Sequence, residues 1–571
     1  MRYADEASLR RLRRREATAW ALAVGLLLVV GAGAAFGLRA PAERAASTSA
    51  TTPTTPAEAP TSEASGDASV EVAAVDADTS AGIEQYRGPD WIREENTKPG
   101  TTEWQIPDDP KMWDKIRGFA DATSIDFGED VTLYVSTKAP TWRVDAYRIG
   151  YYGGGGGRLI WSSPDQPGVD QPAAVIDSKT NMREAPWAPS LTVQTDDTWP
   201  PGQYLFKLVS SDGGATFVPL VVRDDGSTAP LLMQSAVTTW QAYNPWGGTN
   251  LYTGVNGASE TRARVVSFDR PYGGNGSGEF LGREFEFIWF LERLGYDVTY
   301  WTNIDLDAQP DRAQQHKAVL IPGHDEYYTV AMRQGLERAR DAGVNLAFFG
   351  ANNVYRRIRL EPSQLGERRR EVNYRSASED PLNGKDNAQV TTSFREAPAA
   401  NPESSLIGNY YECNPVKADW VVGDASAWMF AGSGFKNGDR VKDMVGNEYD
   451  RVTPGVPTPE NIQVIAHSPV NCRGKASFAD STWYSAPSGA GVFSAGTFGW
   501  SPLMDEACPD GVETSPPCRL QKVTQNLLDA FAAGPAGAAH PSQNNLAAFG
   551  IGKVSAGPSA TTSPPTTSGT R

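Results

Sequence analysis

Apolar residues change their spacing along this chain near Pro230. Ahead of that point they come in short alternating runs at 131–135, 143–148, 191–194 and 204–208, separated by clusters of Gly, Pro and Asp. A period of two broken by turn residues predicts half-buried strands, so residues 83–229 read as an all-β sandwich. Within this stretch Tyr147-Arg148-Ile149-Gly150-Tyr151-Tyr152 runs into the five glycines 153–157. No Gly-Lys-Ser/Thr follows and a strand resumes near Leu159, which favours a hairpin loop over a phosphate-cradling one.

Beyond Pro230 the apolar runs alternate with helical spacing, as a mostly parallel sheet covered by helices requires. Residues 279–294 set Phe280, Phe287, Ile288, Leu291 and Leu294 on one helical face, and Gly295 ends the helix. Strands are predicted at 297–301, 318–321, 344–349 and 491–495, with a closing helix at 520–532. The fold class is therefore α/β plus all-β, with the second unit spanning 230–533. Residues 359–490 are irregular in pattern and are expected to insert over the crevice of the sheet.

The flanks carry different information. Residues 1–16 are basic, and an uncharged run from 17 to 38 is about long enough to cross a hydrocarbon core. Arginines before it favour a cytoplasmic amino terminus, giving a single-pass cell-membrane protein whose body lies outside the cytoplasm. A cleaved signal peptide and a secreted product are the alternative. Residues 39–82 and 534–571 are rich in Ala, Thr, Pro, Ser and Gly and read as a disordered stalk and tail. The net charge is −16, and seven of the arginines fall in the first forty residues. The acidic remainder excludes nucleic-acid binding, which needs basic clusters; a homo-oligomer is compatible with it. Cys413, Cys472, Cys508 and Cys518 fit an oxidising compartment, with 508–518 and 413–472 as the favoured disulfides.

Candidate chemistry gathers at two strand ends. The run 318–321 leads into Gly323-His324-Asp325-Glu326-Tyr327-Tyr328, and the run 344–349 ends in Gly350-Ala351-Asn352-Asn353. Parallel neighbours deliver their following loops to one crevice, so a histidine, a carboxylate and an amide would meet there. Only four histidines exist, His316, His324, His467 and His540, and a multi-histidine metal site would need His467 to join His324. The His-Glu-x-x-His and Gly-x-Ser-x-Gly motifs are absent, and no cysteine sits on a strand-to-helix turn beside His324. Oxygen donors are plentiful in Tyr243, Tyr252 and Tyr272, and a phenol can become a phenolate beside a strongly charged cation. Each residue also has a plain reading. The aromatics could pack, Glu326 could cap the helix that begins near Thr329, His324 could fill a turn and Asn352 could close a strand.

Five segments, taken in order, resemble a known family. They are Tyr147-Arg148-Ile149-Gly150-Tyr151-Tyr152-Gly153, Thr239-Trp240-Gln241-Ala242-Tyr243-Asn244-Pro245-Trp246-Gly247-Gly248, Ser267-Phe268-Asp269-Arg270-Pro271-Tyr272, Gly323-His324-Asp325-Glu326-Tyr327 and Gly491-Val492-Phe493-Ser494-Ala495-Gly496-Thr497. The set resembles the large-subunit-like proteins of N,N-dimethylformamidase over about residues 85–533. The resemblance implies a β-sandwich followed by a glutamine-amidotransferase-like α/β domain with a mononuclear iron, Fe3+, held by two tyrosines and a glutamate. It implies Glu326 as the carboxylate ligand and Tyr243 as the first tyrosine. Tyr272 is the choice for the second, with Tyr252 competing because the segment is shorter here than the family pattern. It further implies metal-assisted hydrolysis of an amide C–N bond in a small substrate, with His324 as general base or proton shuttle. Asn352, with Asn353 one register away, would hydrogen-bond the oxyanion. Dimethylformamidase itself is a soluble two-subunit enzyme, whereas this chain carries an export segment and no small subunit. The rival readings are a non-catalytic cell-envelope module that binds glycan or protein, and a metal-free hydrolase acting through His324 and Glu326.

Overall fold

The computed structural model describes residues 88–506, 508 and 515–555; the expected membrane span at 17–38 and the stalk lie outside them. Among the described residues no helix is long and apolar enough to cross a membrane.

Two sheets share the first core. Ile116–Ala120, Val131–Thr137 and Leu191–Val193 form one, antiparallel throughout. The other aligns Ser124–Ile125, Ala215–Val222, Gly202–Ser210, Thr141–Ile149 and Gly157–Ser162. Strand alternation turns Leu133, Val135, Val144, Ala146, Phe206 and Leu208 inward around Trp142 and Trp199. Burying each large apolar side chain contributes about 1.5–3 kcal/mol. The glycine run joins the antiparallel neighbours Thr141–Ile149 and Gly157–Ser162, so it is a hairpin connection. Gly153, Gly154 and Gly156 have φ of 64°, 94° and 78°, which residues with a Cβ rarely adopt.

The second core is built on one seven-stranded sheet. Its strands are β1 (Leu231–Ser235), β2 (Val298–Thr302), β3 (Ala318–Ile321), β4 (Asn345–Phe348), and, much later, β7 (Gln463–Cys472), β8 (Lys475–Ser485) and β9 (Gly491–Ser494). The order is β2-β1-β3-β4-β9-β8-β7. The first five strands are parallel, and β8 and β7 add antiparallel strands at the edge. Strands β1 to β4 and β9 are buried on both faces, which is why they read as unbroken apolar runs. Helices α2 (Phe285–Leu294) and α4 (Pro516–Ala533) cover Leu320, Ala347 and Phe493 on one face. Helix α3 (Val330–Asp341) covers Val319, Ile321, Leu346 and Phe348 on the other. Helix α1 (Val237–Tyr243) follows β1 directly.

Four expectations need correction. The helix foreseen over 279–294 is two helices, Gly278–Arg283 and α2, because Glu284 leaves helical geometry at φ −123°. Its carboxylate instead accepts hydrogen bonds from the Ala236 amide and the Trp240 indole, at 3.1 and 3.0 Å. Residues 359–490 are not irregular. They contain β7 and β8 and the long hairpin β5 (Tyr410–Val421) and β6 (Arg440–Arg451), whose register shifts and half-polar faces blur any period. The closing helix starts four residues early, where the Ser515 side chain caps the Cys518 amide and prolines fill the first turn. Nor is the tail disordered between 534 and 555. Leu546 and Ile551 enter the second core, the His540 ring stacks on Trp428 at 4.1 Å, and Asn345 binds the Gly534 carbonyl and the Ala536 amide. Small residues dominate its composition, yet a few apolar anchors suffice. Disulfides join Cys413 to Cys472 and Cys508 to Cys518.

Candidate functional site

Two glycines let the loops after β3 and β4 touch. A Cβ on Gly350 would stand 1.4 Å from the Gly323 carbonyl oxygen, so backbone meets backbone there. Beyond this contact Asn352 and Val354 both take left-handed conformations, φ 56° and 55°. For a β-branched residue that is strained backbone, of the sort held at functional sites by surrounding bonds. The bonds are present. The Asn352 amide donates to Asp450 Oδ1 at 2.8 Å and the Val354 amide to the Asp325 carbonyl at 2.9 Å.

Asp325 anchors the other loop. Its carboxylate accepts from Gln234 (2.8 Å), Asn303 (2.9 Å) and Tyr328 (2.7 Å), and its amide donates to Asn353 Oδ1. His324 and Glu326 come together beside it, Nε2 to Oε2 at 3.4 Å. The same Glu326 oxygen accepts from the Tyr243 hydroxyl at 2.8 Å and the Tyr252 hydroxyl at 2.7 Å. Glu326 therefore does not cap α3; the Thr329 side chain does that by accepting from Met332. The two tyrosine rings stack at 4.4 Å, and Tyr327 donates to the Tyr252 oxygen at 2.7 Å.

Tyr272 stands apart from this cluster. Its ring meets Trp240 edge-on at 6.4 Å and lines a cavity with Pro219, Tyr243 and Phe280. Tyr252 occupies the place beside Tyr243 because Asn250 folds its loop back. Asn250 accepts from the amides of Tyr252 and Thr253 and donates to the Tyr243 carbonyl. His316 binds the Ala229 carbonyl and His467 pairs with Asp480 at 2.6 Å, so neither joins His324.

Residues that the sequence did not single out complete the surroundings. Glu448 and Asp450 share a face of β6, and the Glu448 carboxylate accepts from Asn414 at 2.8 Å. Arg356 Nε lies 3.4 Å from Glu326 Oε1, the Arg375 guanidinium lies 4.4 Å over the Tyr252 ring, and Phe498 packs on His324 at 4.6 Å. Both β6 acids are buried, and ionisable groups are rarely buried without a partner or a task, but that burial is visible only in the fold.

Electrostatics set the protonation states. Burial pushes Glu326 up, but His324 and Arg356 outweigh it and hold the carboxylate well below its usual range. Burial pushes His324 down, and Glu326 and Glu448 more than reverse it, so the imidazole sits above its ordinary value. Glu448 is raised by burial, and Asp450 is pushed up to about 8 for the same reason. Burial and the neighbouring Glu326 raise Tyr243 and Tyr252 well above 10, so both phenols keep their protons and donate hydrogen bonds to the carboxylate.

Several buried atoms here have no hydrogen-bond partner: His324 Nε2, Asn352 Oδ1, Glu448 Oε2 and Arg356 Nε. The contact of His324 with Glu326 is thus close without being aligned. Buried polar atoms are normally satisfied, so these leave donors and acceptors free for a group bound among them. Among the described residues no three His, Cys, Asp or Glu side chains gather to hold a metal. A cation at this site would draw on the tyrosines, and three converging hard oxygens fit a trivalent one.

A family model described as N,N-dimethylformamidase beta subunit-like, C-terminal, matches residues 143–510. No curated protein matches the chain. Among solved structures, a cycloisomaltooligosaccharide glucanotransferase of Paenibacillus sp. in complex with cycloisomaltoheptaose is 11% identical, with a TM-score of 0.14. That likeness covers 37% of this chain and 27% of the other, and bears on neither fold nor function.

Proposed function

The chain belongs to the N,N-dimethylformamidase beta subunit-like family, and from that footing we propose that it hydrolyses amide C–N bonds at an iron site held by Tyr243, Tyr252 and Glu326. The observation that carries this reading is the convergence of two phenol oxygens on one carboxylate oxygen at 2.7 and 2.8 Å. Two phenolic protons there stand where a cation would replace them. Bound iron would supply Lewis acidity toward the amide carbonyl.

The chain's own groups do the rest. His324 takes a proton from the attacking water as its oxygen bonds to the carbonyl carbon. The Asn352 side chain donates to the oxygen that gains charge. When the C–N bond breaks, His324 returns a proton to the departing nitrogen, yielding a carboxylic acid and an amine. Glu448, beside His324, holds or releases a proton during that exchange. We read the described residues 88–229 as a β-sandwich and the described part of 230–533 as a glutamine-amidotransferase-like unit, with residues up to 555 packed on it. All four cysteines are paired, which supports placement outside the cytoplasm behind the apolar segment 17–38.

The test is metal content and visible absorption of the full chain purified without chelators. About one iron per chain is expected, with a phenolate-to-iron absorption band. The band and the iron should vanish in Tyr243→Phe, Tyr252→Phe and Glu326→Ala, and amide hydrolysis should drop by about 1,000-fold. A folded protein that cannot be loaded with iron would falsify the proposal.

A further inference from the structure

The family's namesake substrate is a neutral amide, yet one wall of this site holds an arginine with no carboxylate partner and another that shares its only one, Glu326. Arg375 lies over Tyr252 at 4.4 Å, and its hydrogen bond goes to an uncharged group, the Leu251 carbonyl, at 3.3 Å. Among the described residues no carboxylate lies within ion-pairing distance of it. Two acids lie four residues from it in sequence: Glu379 is taken by Arg262 and Arg264, both at 3.1 Å, and Glu371 is fully buried, with burial pushing its carboxyl well above the usual range. Arg356 has one carboxylate, Glu326, at 3.4 Å, and its buried Nε has no hydrogen-bond partner. Other arginines nearby are matched: Arg359 with Asp380 at 2.7 Å, Arg368 with Asp307 at 2.7 Å, and Arg395 with Glu403.

Charge counting sharpens the contrast. If Tyr243, Tyr252 and Glu326 together neutralise ferric iron, Glu326 has no negative charge to spare for Arg356. The Arg375 guanidinium over Tyr252 and the Arg356 guanidinium beside Glu326 then lack a compensating carboxylate in a half-buried setting, where charge is screened less than in water. Guanidinium forks bind carboxylates with paired, charge-assisted hydrogen bonds.

We propose that the substrate is an amide bearing a carboxylate, of the N-acyl amino acid type, and that Arg375, aided by Arg356, binds that carboxylate beside the reacting bond. The substrate class rests on the amide-hydrolase reading. The anion subsite is read by binding alone, so the two can fail separately.

Isothermal titration of the full chain, iron-loaded and iron-free, with N-acetylglycine and its neutral counterpart N-acetylglycinamide tests this. N-acetylglycine should bind at least about tenfold more tightly, and the preference should weaken as salt rises. Arg375→Met should shrink the preference about fivefold or more, and Arg375→Lys should restore part of it by keeping the charge without the planar fork. Circular dichroism checks that both variants fold. Equal binding of the two probes overturns the proposal. So does a preference that Arg375→Met leaves intact, or no binding of either probe at about 50 mM, a level at which even weak single-contact ligands register. A carboxylate preference in a protein that takes up no iron would sink the metal site and leave the anion subsite standing.

Discussion

Two buried clusters of charge occupy this molecule, and they are built on opposite plans. Around Arg148, wholly buried, every polar atom has a partner. The guanidinium donates to both Glu292 oxygens at 2.6 and 3.1 Å, to the Tyr152 hydroxyl at 2.8 Å and to the Pro201 carbonyl at 2.9 Å. The Tyr152 hydroxyl donates to Glu95, which Arg158 also binds, and Tyr300 donates to Glu292. Around Glu326 the density of ionisable groups is similar, but buried atoms of His324, Asn352, Arg356, Glu448 and Asp450 lack hydrogen-bond partners. The first cluster ties the β-rich part to helix α2 and is finished as it stands. The second keeps unpartnered polar atoms among its ionisable groups, which is the contrast on which the proposed site rests.

The largest effect should come from breaking the finished cluster. Arg148→Met leaves Glu292 buried without its cation, and removing one member of a buried pair costs about 3–5 kcal/mol. Urea unfolding should show it, with iron content per folded chain unchanged. A cost below about 1 kcal/mol would mean that the network is not the brace its geometry suggests.

A second test uses pH. Burial pushes Glu284, under Trp240, up to about 8 from 4.5, and one of its oxygens has no hydrogen-bond partner. The folded state therefore keeps a proton that the unfolded chain has released between those values. Unfolding releases it, so stability falls as pH rises from about 4.5 to 8 and levels off above. Glu284→Gln should flatten that part of the melting temperature against pH; an unchanged slope would show that Glu284 is ionised in the fold.

The smallest effect is expected at Tyr272. Tyr272→Phe should keep iron and the absorption band and alter stability by less than about 1 kcal/mol. If it abolished the band while Tyr252→Phe did not, the cluster around Glu326 would have been assigned to the wrong tyrosine.

How far the sequence could be read follows from the range of the interactions involved. The strands 318–321 and 344–349 announced themselves because strands buried on both faces are continuously apolar. His324, Glu326 and Asn352 could be placed because they follow adjacent parallel strands directly. The choice between Tyr252 and Tyr272 was not legible, because it turns on Asn250 folding a glycine-rich loop back onto Tyr243. Glu448 and Asp450 reach the site from a hairpin about a hundred residues downstream of Asn352, and no local pattern encodes that approach. The break at Glu284 leaves no trace in the sequence, because helical spacing continues through it and only the pull of Ala236 and Trp240 interrupts the backbone.

The insertion between β4 and β9 has a consequence for the order of assembly. Leu346 pairs with Val492 and Phe348 with Ser494, so the middle of the main sheet closes only across the whole intervening stretch. Such long-range pairing is slow and cannot begin until its far partner has been made. Synthesis must run past residue 494 before the crevice has both walls, and nearly to residue 551 before Leu546 and Ile551 seal the second core. For a chain exported as proposed, that delay is useful: the polypeptide stays threadable through a translocation pore until nearly all of it has emerged.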